Sequence, residues 1–432
     1  MRHLRLSVVV LAVLALALAL ALALAVAGCG GGGGGGGGGK DVTKNAKSAP
    51  APKASGDVTW CIGKDTTGAF SSMVSRYNKK YPDSKAKLLE LPTSADDQRT
   101  QLIQRLRAKS SECDVLGMDV IWTAEFAGQG WLLDVSKTTD KRKGDFIPST
   151  LKTAEFEGKT WGVPFNTNAG FLYYRTDKVS SPPGSWQQVY SDAKSKGGLV
   201  YQGARYEGLT VDYLELLYSA GGKITDSSGK KLDLDKKKAT DVLTFMVNGI
   251  KDKSAPKAVT TYMEEESRRA FEAGKPAFMR NWPYTYALDK KSKIGSTFAA
   301  AKFPSWQGGQ PASVIGGYNL GISAYSKNAA GAAAFADFVT QPAQQQVMGA
   351  KASLPPVLGS VYSDPAVKKA MPFAAELKKA VEQGQARPVS PVYPQISEAI
   401  YKNVFAALQG DMSPSAAVDK MSSQVQTALK TF

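Results

Sequence analysis

Histidine is almost missing from this chain: His3 is the one instance in 432 residues. It lies in a leader-like segment, so the body of the protein has none. That excludes Ser–His–Asp and Cys–His nucleophilic catalysis there, together with every histidine metal site. Cysteine is scarce too. Cys29, Cys61 and Cys113 stand far apart, so no close-spaced metal-binding cluster exists. There is no Walker phosphate loop, no recognition-helix or zinc-finger pattern, and no internal repeat. The residue types call for no cofactor and no metal.

Only one long hydrophobic run is present. Arg2 and Arg5 precede an apolar stretch, Val8–Ala27, that ends in Val26-Ala27-Gly28-Cys29. Basic residues, an apolar run and small residues before a cleavage point make a secretory signal. The run is also long enough to cross a bilayer, so an uncleaved anchor is the alternative. The tetrapeptide resembles a bacterial lipobox, which implies that Cys29 is lipidated and becomes the new N-terminus. Ten glycines follow, Gly30–Gly39, then "KDVTKNAKSAPAPKASG". Such a composition predicts a disordered tether over 29–56, spanning roughly 30 Å root-mean-square.

The formal charge is +16, and loss of Arg2 and Arg5 with the leader leaves +14. The lysines are dispersed in small groups, as at Lys79-Lys80, Lys236–Lys238 and Lys290-Lys291. They read as solvated surface, and no nucleic-acid partner is expected. Outside the cytoplasm, Cys61 and Cys113 are a possible disulfide. Both lie on or beside expected strands, and a small change of register would separate them.

The remaining chain, from Asp57, is long enough for two domains. Short apolar runs alternate with helical patterns, which predicts an α/β fold. "DVTWCIG" (57–63), "AKLLEL" (86–91) and "DVLGMDV" (114–120) read as strands. Between them, Phe70, Met73, Val74 and Tyr77 line one helix and Leu102, Ile103 and Leu106 another. Ser94 with Asp97 resembles a capping box at the start of the second. This order gives a parallel sheet, with ligands expected beyond the carboxyl ends of its strands. "AGFLYYRTD" reads as the crossing into a second lobe, and "TFAAAKFP" and "SVIGGYNLGIS" as strands returning to the first.

"FMRNWPYTYAL" (278–288) ends a strand-like run in two aromatics around Pro283. Packing at the rim of a core is the ordinary reading. The other follows from the preference of proline for the first helical position. Trp282 would then cap a helix 283–289 and flank free backbone N–H groups. Aromatic faces beside hydrogen-bond donors suit a ligand with apolar faces and hydroxyl edges, such as a sugar.

The lipobox, "AGFLYYRTD", "AFEAGKPAFMRNWPYTYAL", "GGYNLGIS" and "ARPVSPVYPQIS" occur in this order. Together they resemble the family 1 extracellular solute-binding proteins of ABC importers, most of all the trehalose/maltose-binding lipoproteins. The resemblance covers essentially Asp57–Phe432. It implies a two-lobe, periplasmic-binding-protein-like α/β fold with a hinge of several crossings and an interlobe ligand cleft. Lobe 1 is expected at 57–167 plus 303–340, and lobe 2 at 168–302 plus 341–432, with crossings near 166–170, 302–304 and 339–341. The implied partners are a sugar, the transmembrane permease subunits and, through Cys29, the outer face of the cell membrane; the protein is expected to act as a monomer. By the same resemblance, Trp282 and Tyr284 stack on the sugar, and Gly317 and Tyr318 stand where a Gly–Trp pair is usual. Arg387, Asp119 and Arg99 face the ligand, and Glu207 either faces it or braces the hinge. Asn168 and Asn166 stand where an aspartate and an aromatic are common. An α-glucoside disaccharide is the expected ligand. Alternatives are another oligosaccharide, a glycerol-phosphate, a glycoside hydrolase built on Asp119 and Glu207, or a surface protein without a deep cleft.

Overall fold

The structure, a computed structural model, describes residues 39–431. The expected leader, the cysteine at position 29 and most of the glycine run lie outside the described residues.

The first lobe grows from the alternation seen in the sequence. Strand β1 (Val58–Gly63) leads to helix α2 (Ala69–Lys80), β2 (Ala86–Leu91), α3 (Ala95–Arg107) and β3 (Val115–Asp119); a short α1 (Gly39–Lys44) precedes them. The apolar faces are those the spacing requires. Phe70, Met73 and Tyr77 of α2 and Leu102, Ile103 and Leu106 of α3 are buried. The Ser94 hydroxyl accepts from the Asp97 N–H and starts α3. β1 pairs in parallel with β2 and β3. The sheet is completed by β4 (Val163–Ala169) and by a strand from far along the chain, β9 (Ile315–Ile322), giving the order β2-β1-β3-β9-β4. β9 runs antiparallel to both neighbours. Trp60, Phe70, Phe165 and Phe335 interlock beneath the sheet with ring centroids 5.1–5.5 Å apart.

The second lobe is built on β5 (Phe171–Arg175), β6 (Leu199–Val200), β7 (Phe278–Asn281) and β8 (Phe298–Ala301), in the order β8-β5-β7-β6. Helix α4 (Glu207–Ser219) is buried along its whole length. α10 (Tyr393–Gln409) packs on it, and α11 (Pro414–Leu429) packs on α10. Between these come α5 (Glu264–Glu272) and α6 (Tyr284–Asp289).

Four expectations are corrected. "TFAAAKFP" does not return to the first lobe: its strand, β8, pairs with β5 in the second sheet. Residues 341–383 do not belong wholly to lobe 2. Helices α7 (Ala329–Val339) and α8 (Pro342–Ala352) both pack on α2, and α9 (Ala374–Gln383) packs on β4. Val339–Gln341 is therefore a turn inside lobe 1, and the last crossing comes later, where Gln385 pairs with the backbone of Ser313 and Ile315. The helix after Trp282 starts one residue late, with Pro283 as its cap, and the Trp282 N–H is taken by Asn281 Oδ1. The tether is shorter than expected. Ala49 N–H donates to the Asp134 carbonyl at 2.7 Å, Asp134 N–H to Lys47 at 2.9 Å, and Lys53 N–H to Ala330 at 3.1 Å. This stretch is poor in apolar side chains but docks through its backbone, which composition does not register.

Cys61 and Cys113 are joined by a disulfide, with Cα atoms 5.7 Å apart. No helix among the described residues is long and apolar enough to cross a membrane.

Candidate functional site

The carboxyl ends of β1 and β3, the end of β4 and the start of β9 meet at one edge of the first sheet. Facing them are the starts of α4, α5 and α6. The space between is a cavity of ≈ 360 Å³.

Register brings the first-lobe residues together. Tyr318 of β9 lies opposite Asp119 of β3 on one side and Asn166 of β4 on the other. A bulge follows at Tyr318/Asn319. Gly317 makes the bend possible: its φ is +116°, and a Cβ there would come 2.2 Å from the Asn166 carbonyl. Only glycine meets both demands. Asn166 Oδ1 then accepts from the Tyr318 N–H at 3.2 Å, and the Tyr318 hydroxyl donates to Gln98 Oε1 at 3.1 Å. Asn168 lines the cavity with a buried Oδ1 that has no hydrogen-bond partner in the protein. At the end of β1, the Asp65 carboxylate holds the loop by accepting from Thr67 and Phe70 N–H groups, both at 2.8 Å.

The second lobe supplies the aromatic wall. The Trp282 carbonyl accepts from the Tyr173 hydroxyl at 3.0 Å and from Thr285 at 3.1 Å, which pins the backbone. The Arg280 guanidinium lies 4.1 Å from the centre of the Trp282 ring and covers one face. The ring's edge approaches Gly316 of the other lobe, where a Cβ would sit 3.2 Å away. Tyr284 stands beside it, its hydroxyl donating to Glu265 Oε1 at 2.7 Å.

Two buried guanidinium networks hold these walls. Arg280 donates to both oxygens of Glu215, at 2.7 and 2.8 Å, and to Gln202 at 2.7 Å, with Asp212 Oδ1 2.8 Å away. Burial pushes the Asp212 and Glu215 carboxyls up, while Arg280 opposes the shift. Arg387 donates to Glu207 at 2.7 Å and to Asp119 at 2.9 Å, so it ties α4 to the end of β3. Glu207 also accepts from Tyr393 at 2.6 Å and from Ser397. Its carboxyl is pushed up to about 7, by burial first, with Arg387 pulling the other way.

Trp282, Tyr284, Gly317, Tyr318, Asp119, Arg387, Asn168, Asn166 and Glu207 all line the cavity. Arg99 does not. Its side chain is held by Glu125 of the same lobe, with Nε at 2.8 Å from Oε2. Lys64 and Asp65 line the cavity too, just past the carboxyl end of β1 where a ligand was expected, and it has walls that the sequence reading passed over: Gln98, Tyr206 and the acidic run Glu264–Glu266. The triple glutamate at the first turn of α5 was the visible signal. Burial raises the Glu264 carboxyl, against the pull of Tyr206 and Arg280. Among the described residues no cluster suits a metal ion.

The sequence pattern of the bacterial extracellular solute-binding protein family matches residues 63–346. The chain belongs to that family. A relative from Deinococcus radiodurans, named "Probable ABC transporter-binding protein", is 36% identical over 363 residues, covering 78% of this chain and 85% of its own. Among solved structures, the solute-binding protein is similar to maltose-bound MalE3 of T. maritima, with 33% identity and a TM-score of 0.81, over 86% of this chain and 99% of that one. The GacH receptor of Streptomyces glaucescens has the same two-lobe fold, at 24% identity and a TM-score of 0.79, over 88% and 99%.

Proposed function

We propose that this solute-binding protein captures a neutral α-glucoside disaccharide, of the maltose or trehalose type, and delivers it to the permease of an ABC importer. Its place among extracellular solute-binding proteins puts it outside the cytoplasm, and the coarser reading, a sugar-binding component of an ABC transporter, rests on the family and on the maltose-bound neighbour. The observation that carries the finer reading is the Trp282 ring, backed by Arg280 on one face and set in a cavity rimmed by carboxylates and amides. An aromatic face covers the C–H face of a pyranose. Asn168 Oδ1 and Glu264 are acceptors for its hydroxyls.

Size and charge narrow the ligand. A cavity of ≈ 360 Å³ is near the lower end of ligand pockets, about 300–1,000 Å³. That suits one or two sugar rings better than a long oligosaccharide. A glycerol-phosphate would need free cations. Arg387 is bound to Asp119 and Glu207, and Arg269 to Glu266, which leaves Lys64 as the unpaired cation of the cavity lining among the described residues. Both oxygens of Glu207 are taken by protein donors, which favours a brace over a catalytic acid.

Calorimetric titration with maltose, trehalose and glycerol-3-phosphate tests the reading. Tight binding of a disaccharide is expected. No disaccharide binding, or tighter binding of the phosphate, would count against it. The proposal includes a lipid anchor at Cys29, for which the "VAGC" sequence is the support. Mass spectrometry of the native protein should find a lipidated Cys29 terminus; an intact Met1 terminus would refute the anchor.

A further inference from the structure

Helix α4 starts on Tyr206, whose side chain caps nothing. The first N–H groups of a helix have no partner within the helix. The first of these, on Glu207, is met from the other lobe: Asp96 Oδ2 accepts from it at 3.1 Å. Asp96 sits in the first turn of α3, so two helix starts, one from each lobe, face one carboxylate. Each carries partial positive charge, and unshielded they would repel. Asp96 makes no ion pair among the described residues, since Arg99 on the next turn is committed to Glu125. Nor does Asp96 line the cavity, although its neighbours Ala95 and Gln98 do.

We infer that Asp96 is a latch: a helix cap donated by one lobe to the other, which holds the cleft shut and so tunes affinity from outside the binding site. This rests on the reading above, that the lobes close on a ligand. The contact joins protein groups alone and needs no ligand atom, so a measurable closed population is expected in the empty protein. An N-cap residue changed to alanine shifts a folding equilibrium by roughly fivefold. The same loss here falls on the closed state. Ligand release should quicken by about that factor while association stays nearly constant.

The test uses nitroxide pairs on the exposed positions Gln104→Cys in α3 and Lys237→Cys in the second lobe. Distance distributions are recorded for the parent, Asp96→Ala and Asp96→Asn, empty and with saturating maltose, and maltose release is timed by stopped flow. In the empty protein, Asp96→Ala should shift population toward longer distances and release should be about fivefold faster. Asp96→Asn keeps an acceptor oxygen and should lie between. Unchanged distances and release in Asp96→Ala, or an empty parent with no closed population, would overturn the latch. If maltose does not bind the parent, the disaccharide reading fails, and the empty-state distances still decide the latch.

Discussion

Trp282 shows how much one side chain carries. Its backbone is pinned by Tyr173 and Thr285 and its rear face by Arg280, so little freedom is left to lose on binding. Removal of a central aromatic anchor costs about 2 kcal/mol or more. Trp282→Ala is expected to weaken disaccharide binding at least about tenfold, and Trp282→Phe less, with ligand-free melting nearly unchanged in both. Titration and melting curves together check this. Asp289 offers a prediction about pH. It is fully buried, and neither carboxyl oxygen has a hydrogen-bond partner. Burial, helped by Glu272 and opposed by Arg268, raises its pKa from 3.8 to about 9. The folded chain therefore keeps a proton that the unfolded chain releases, and stability from this group falls as pH rises between those values. Asp289→Asn should melt like the parent near pH 4 and progressively above it toward pH 9. A difference independent of pH would refute the assignment. The place of Trp282 on the cavity wall was legible because Pro283 marks a helix start. Arg280 was not: a charged residue at the end of a strand reads as exposed, and its partners Asp212 and Glu215 lie on a distant helix.

Elements were legible where period and punctuation agree. β1, α2, β2, α3 and β3 follow from alternation, and Ser94 marks the start of α3. In α4 the apolar spacing points Val211, Leu214, Leu217 and Tyr218 inward, and it is silent on the face that carries Asp212 and Glu215. The structure buries that face too, against Arg280. Removing one member of such a network strands the others, at a cost of about 3–5 kcal/mol. Arg280→Ala should accordingly lower the melting temperature far more than any surface arginine substitution. The disulfide joins β1 to the segment before β3 across 52 residues. By loop entropy its removal costs about 4 kcal/mol. The Cys61→Ser/Cys113→Ser double variant should melt lower, and a reducing agent should destabilise the parent but not the variant. Neither strand register nor the docked stretch before Asp57 could be read from composition, since both are fixed by backbone hydrogen bonds.

At the scale of the whole molecule, the two lobes and their cleft were implied by the order of motifs, but the place of the last crossing was not. Helices such as α8 and α9 carry no mark of which lobe they cover. Crossings at Gly170, before Ser313 and at Gln385 are few and short, an arrangement suited to hinge closure. X-ray scattering should show a smaller radius of gyration with a bound disaccharide; an unchanged radius with binding confirmed would argue for a rigid cleft. The interleaving of the chain also governs when it can fold. β9 lies between β3 and β4, yet it is synthesised almost two hundred residues after β3. α4 is wrapped by α10, which arrives nearly as late. Each lobe completes its core only with segments made late, and such long-range pairing is slow. A protein whose place is outside the cytoplasm is thereby expected to stay threadable until its last helices have been made.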